Sequence, residues 1–213
     1  MRIALGVTLV SMSCVGALVN LAGAATFRIE PSKSSLVAEI FRDGAASRFA
    51  HDHVVQATNF SGRIIFEPAV PEASSISVQV NTATLKVDSP ETRRQFHSRG
   101  EPTSADVSAI DHNMKAEGQL YVAKFPLITF LSRSITSEKD DQYWVTGHLT
   151  IRGVAKLVRF PANVIIEGHI LRGTATLEFA QSAFGYGPYS ALLGAIKNKD
   201  AVVLHIDLVA IRD

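Results

Sequence analysis

Trp144-Val145-Thr146-Gly147-His148-Leu149-Thr150-Ile151 alternates without a break. Val145, Gly147, Leu149 and Ile151 fall on one face, and Thr146, His148 and Thr150 on the other. A repeat of two is that of a strand with one side buried. The same rhythm returns on both sides of this stretch. Ile76, Val78 and Val80 alternate with Ser75, Ser77, Gln79 and Asn81. Leu171, Gly173, Ala175, Leu177 and Phe179 oppose Arg172, Thr174, Thr176 and Glu178, and Val202, Leu204, Ile206 and Leu208 oppose His205 and Asp207. Further strands are expected near 26–30, 35–42, 53–66, 127–133 and 156–166. Turn residues separate them: Glu67-Pro68, Pro71-Glu72, Ser137 to Asp141, Arg152-Gly153 and Glu167-Gly168.

One segment departs from this period. Val107, Ile110, Met114 and Tyr121 are spaced for a helix within 104–121, and Thr103 with Asp106 resembles a capping box. A shorter helical turn is expected at 90–96, with Pro90 early in it. The fold class is therefore all-β with minor α. Eight or so antiparallel strands form a sandwich or a barrel. The barrel is favoured because closure removes sheet edges and because strands of roughly ten residues span about 33 Å. The expectation is an eight-stranded antiparallel barrel with one helix near its mouth.

Composition excludes several classes of function. The 213 residues carry 21 Lys+Arg, 20 Asp+Glu and one Cys. A net charge of +1 offers no basic surface for nucleic acid, and a lone Cys forms no intramolecular disulfide. Residues 1–25 contain one charge, Arg2, then an apolar run from Ile3 to Leu21 and the small residues Ala22-Gly23-Ala24-Ala25. This is the pattern of a cleaved secretory signal; the alternative is an uncleaved membrane anchor. The rest, 26–213, contains no linker or repeat and is taken as one domain. Export points to the periplasm in a Gram-negative host.

The inward faces are apolar and lack the recurring polar groups of a catalytic pocket. They describe a packed core or a lumen for an apolar ligand, and periodicity alone does not choose between them. Gly147, Gly173 and Ala175 leave volume on an inward face unless a large neighbour fills it. The helix is placed to cap an opening through Val107, Ile110 and Met114. Phe184-Gly185-Tyr186-Gly187-Pro188-Tyr189 is a Gly/Pro-rich loop whose rings suit a lip for a ligand or the packed end of the barrel.

His51-Asp52-His53 places two imidazoles on one face of an extended chain, a partial metal site lacking a selected third ligand. The alternative is a polar loop in which Asp52 holds an imidazole. Arg93-Arg94 with Arg99 reads as a solvated basic run. No G-x-S-x-G, Walker or dinucleotide glycine pattern occurs, so no cofactor is expected.

Three stretches together resemble a known family: Asn81-Thr82-Ala83-Thr84-Leu85, Lys124 to Phe130, and Val145 to Lys156, in that order. With Phe27 to Ser34 and Phe60-Ser61-Gly62 they resemble the YceI-like family over nearly all of 26–213. The segments 48–53 and 92–97 depart from its simplest members. The resemblance implies an exported, lipocalin-like barrel that binds a polyisoprenoid in its lumen, with no catalytic residues. The ligand contacts expected on this reading are Ile76, Val78 and Val80, Ile110 and Met114 of the helix, Ile128 and Phe130, Leu149, Leu177 and Phe179, and Phe184 and Tyr186 of the loop.

The leading expectation is a non-enzymatic, stress-related carrier or sequestering protein for a polyisoprenoid or other long-chain apolar lipid. It would contact membrane at most transiently, and a homodimer is compatible with the sequence. The alternatives are a metal-binding hydrolase or isomerase using His51 and His53, and a structural binding partner with a filled lumen.

Overall fold

The strand expected over 53–66 is divided in two, those expected near 26–30 and 35–42 follow one another along one side of the sheet, and a short strand extends the one expected at 75–81. The computed structural model describes residues 23–213; the leader expected over 1–25 lies, through residue 22, outside the described residues. The chain runs up as β1 (Ala25–Ile29) and β2 (Ser35–Asp43), separated by a helical turn at Pro31–Lys33. It returns as β3 (His53–Ala57) and β4 (Phe60–Phe66), then rises as β5 (Ser75–Asn81) and β6 (Leu85–Val87). The break between the last two is a turn at Thr82–Thr84, where the Asn81 side chain accepts the Ala83 N–H at 3.0 Å. Two helices follow, α1 (Pro90–Gln95) and α2 (Ser104–Lys115). Then come the long strands β7 (Leu127–Lys139), β8 (Gln142–Ile151), β9 (Val154–Glu167) and β10 (Ile170–Ala180). A loop containing the two-residue strand β11 (Ser190–Ala191) leads into β12 (Ile196–Arg212).

With each divided pair taken as one strand, eight antiparallel strands stand in chain order around a closed ring. Closure depends on the length of β12. One edge pairs with β10, Leu204 opposite Leu177. The other pairs first with β2, Leu204 opposite Ala38, and then with β1, Ala210 opposite Ile29. The β8–β9 connection is a two-residue turn with φ of 52° at Arg152 and 74° at Gly153, the conformation that matches the twist of paired strands.

Closure is incomplete near one end. β7 begins opposite Asn81, so β6 pairs with β3 alone, and α2 packs beside β6 in place of a strand. Thr82 closes the base of this seam, donating its N–H to Pro126 O and its hydroxyl to Phe125 O, each at 3.0 Å. A second seam lies between β9 and β10, whose ladder stops at Ala162 opposite Ala175. The next residue of β9, Pro161, has no N–H to continue it. The helical turn Gln181–Phe184 packs against both strands there. The expectation that closure leaves no free edges therefore holds for the floor of the barrel and fails at its mouth.

The two ends differ in packing. At the floor Phe27, Phe66, Ile135, Tyr143 and Leu171 are buried together, and the Phe66 and Tyr143 rings meet edge to face at 5.2 Å. At the mouth α2 contributes no buried residue. Its capping box forms as expected: the Asp106 N–H donates to Thr103 Oγ1, and the Asp106 carboxylate accepts the Thr103 N–H. The helix is shorter than its spacing suggests. It ends at Lys115, and Tyr121, with φ of 47°, belongs to the turn that follows.

Of the small residues expected to leave volume, Gly147 does not. A Cβ there would lie 2.5 Å from Phe130 Cζ and 2.6 Å from Leu131 O, so the ring already occupies that space. A Cβ at Gly173 would meet only Leu171 Cδ2, at 4.0 Å. Gly147→Ala is expected to destabilise by about 1–3 kcal/mol through overpacking. Gly173→Ala is expected to be neutral or stabilising by up to about 1 kcal/mol. Urea denaturation of the two variants checks the contrast.

Candidate ligand-binding lumen

The inward faces enclose a cavity of about 510 Å³, within the range of pockets that hold small molecules. Its wall follows from period two: Ile76, Val78 and Val80 come from β5, Leu149 from β8, and Leu177 and Phe179 from β10. Ile128 and Phe130 of β7 face the same space, the Phe130 ring 5.7 Å from that of Phe160. Ile110 and Met114 of α2 and Tyr186 of the 184–189 loop line it from the mouth. Val107 does not line it.

Phe184 stands apart from the other expected contacts. It is 1% exposed and packs edge to face against Phe179 at 5.4 Å, outside the lining of the cavity. Its ring is part of the turn that fills the β9–β10 seam, which makes it a structural wedge. Tyr186 two residues later does reach the lumen; burial pushes its phenol up to about 12, so the hydroxyl stays neutral at ordinary pH. The Arg152 guanidinium lies 5.7 Å from its ring centroid.

Sequence reasoning missed Leu36, Ala38 and Ile40 on β2, Val55 and Ala57 on β3, and Leu85 and Val87 on β6, all of which line the cavity. On β2 and β3 the outward residues Val37 and Val54 are buried too, which hides the alternation. α1 lies beside β3, and Phe96 just after it sets its ring 4.9 Å from that of His205 on the outer face of β12. β6 is too short to show a period.

Polar groups gather at the mouth, where His51, His53, Asp106, Asn113 and Gln119 join the lining. His53 Nδ1 donates to Asp88 Oδ2 at 2.7 Å. Asp88 Oδ1 accepts from the Val54 N–H at 3.0 Å and from Arg93 Nη1 at 2.8 Å. Arg93 also donates to the carbonyls of Asp52, Arg99 and Gly100. The expected basic run is thus no solvated loop at Arg93, which is 8% exposed and joins β3, the end of β6 and the 97–100 loop. Nor does Asp52 hold an imidazole. It accepts the Arg42 N–H at 3.0 Å, and Asp88 is the carboxylate on His53. The His51 and His53 rings stand 6.4 Å apart, and no group of three or more His, Cys, Asp or Glu among the described residues is gathered to hold a metal ion.

The site is therefore an apolar well with a packed floor, a polar rim and a loosely seated helix at its opening. It can take an apolar chain out of water and orient a polar end at the rim.

Comparison with known proteins agrees with this geometry. The family model for the YceI-like domain matches residues 27–210. A UPF0312 protein of Azotobacter vinelandii is 37% identical over 110 residues, covering 52% of this chain and 48% of that protein, about half its length. A UPF0312 protein of Shewanella baltica is 32% identical over 146 residues, 65% of this chain and 67% of that one. Among solved structures, Burkholderia cenocepacia BcnA superposes with a TM-score of 0.66 at 21% identity, over 85% of this chain and 98% of that one. A Campylobacter jejuni YceI protein gives 0.56 at 18% identity, over 75% and 84%. At these identities the structural likeness is one of fold.

The knot at the mouth makes stability depend on acid pH. Burial alone would raise the Asp88 carboxyl, but the hydrogen bond and charge of His53, the Val54 N–H and Arg93 outweigh it and hold it below the ordinary 3.8. Its contribution is fully present above the ordinary carboxyl value and is lost as pH falls through the lowered one. Asn tolerates the φ of 51° at this position, so Asp88→Asn isolates the charge. The variant is expected to lose about 3 kcal/mol at neutral pH. That deficit shrinks below pH 3.8 as the wild-type carboxyl itself protonates, as read by denaturation at a series of pH values.

Proposed function

The chain belongs to the YceI-like family, and we propose that it is an exported, non-enzymatic carrier that holds a polyisoprenoid or similar long apolar chain in its lumen. The observation that carries this reading is the apolar cavity of about 510 Å³, closed at the floor and covered at the mouth by a helix with no buried residue. Removing an apolar tail from water gains about 0.8 kcal/mol per methylene, so the tail supplies most of the affinity. Tyr186, His51 and the other rim groups are left to orient a head group.

Energetics favour an occupant. Apolar wall that faces water is worth about 25 cal/mol per Å² when a guest chain covers it. The signal-like 1–25 segment supports export, and we place the work of the protein in the periplasm.

Mature protein purified from its own host is expected to carry a lipid, identified by organic extraction and mass spectrometry. Gly173→Phe, which points a ring into open lumen, is expected to reduce the bound lipid about tenfold or more while leaving thermal stability intact. Protein that is consistently empty, and that takes up no prenyl lipid when offered, contradicts the reading.

A further inference from the structure

Among the described residues, the most exposed large apolar side chains sit together at the lumen mouth. Leu193 is 109% exposed and its neighbour Leu192 71%. They form the tip of a small hairpin in which Ser190 pairs with Lys197 and Ala191 with Ile196. Both leucines have left-handed backbone, with φ of 49° and 56°, a conformation that side-chain-bearing residues rarely adopt. Such a conformation persists only where the surroundings enforce it, and it marks functional positions.

The surroundings here do enforce it. The Ala195 N–H donates to Leu192 O at 3.1 Å, and the Ala46 N–H donates to Ala195 O at 2.9 Å. Gly44, with φ of 95°, lets the 44–46 loop approach the base of the hairpin, since a Cβ there would lie 2.6 Å from Ala195 O. A braced turn that costs backbone strain thus holds two leucines out in water.

Two further observations say what the tip meets. Tyr189 and Ile196, at the two feet of the hairpin, line the lumen, so the tip stands beside the cavity mouth. The flanking segments 41–52 and 189–200 carry Arg42, Arg48, Lys197 and Lys199 against Asp43, Asp52 and Asp200, with Arg42 3.9 Å from Asp52 and Lys197 3.2 Å from Asp43. Exposed leucines flanked by lysine and arginine side chains suit a bilayer interface.

We propose that the Leu192–Leu193 tip is a membrane-docking element that inserts into the surface layer of a lipid bilayer. Resting on the carrier reading, its consequence is that the lumen mouth meets the membrane from which an apolar chain is loaded.

The test is co-sedimentation of the mature protein with vesicles of phosphatidylethanolamine and phosphatidylglycerol. Uptake of the soluble probe 1-anilinonaphthalene-8-sulfonate into the lumen is measured in parallel. The double variant Leu192→Ser, Leu193→Ser is expected to bind vesicles about tenfold or more weakly, with probe uptake and circular dichroism unchanged. Tip-dependent vesicle binding without probe uptake in either protein supports docking and removes the carrier reading. The proposal is overturned if the wild type does not sediment with vesicles or the variant sediments equally well. It is also overturned if the substitutions act only by converting a dimer of this chain to monomer.

Discussion

An apolar space in water tends to collapse, and the structure depends on a ladder that prevents it. The backbone hydrogen bonds of β12 to β10 on one side and to β2 and β1 on the other close the ring. A closed ring fixes the distance across the lumen more firmly than side-chain packing could. Some large rings are spent on closing the ends, Phe27, Phe66 and Tyr143 at the floor and Phe184 in a seam, while Phe130, Phe160 and Phe179 stand in the wall of the well. Where the wall faces open space it uses small residues, Gly173 and Ala175 among them.

The mouth is built on the opposite plan. Ladder pairing is missing between β6 and β7 and stops short of the mouth between β9 and β10, and helix or loop stands in for it. One side of the mouth is tied by Asp88, Arg93 and His53, a buried and fully hydrogen-bonded knot. The other side is α2, capped at its N-terminus and half-buried, with Met114 packed against the core. Elements with few buried contacts open at low free energy. By that measure α2 is the less firmly held side of the mouth.

Much of the barrel was legible because β5, β8, β10 and the middle of β12 turn apolar and polar residues to opposite faces, so their alternation survives in the sequence. The expected lumen residues on those strands, together with Ile110 and Met114, stand on the cavity wall. β2 and β3 were less readable, because a second layer buries their outer valines as well. The division at Thr58-Asn59 was missed, since a strand that bends keeps its apolar content, and so was the short strand after the turn at Thr82–Thr84, whereas the break at Pro31–Lys33 was legible. Gly147 and Gly173 look alike in sequence, and only the position of the Phe130 ring tells them apart. Asp88 carried no local signal. Its partners His53 and Arg93 lie 35 and 5 residues away in the chain, and the fold alone brings both to one carboxylate.

The central claim is that the lumen is vacant space that a guest can enter, and xenon tests it most directly, because dry apolar cavities bind it without specific contacts. Crystals of delipidated mature protein, pressurised with xenon, are expected to show gas atoms between Gly173, Ala175 and Val78. Lumen density free of xenon, with the wall side chains closed over one another, would contradict the account.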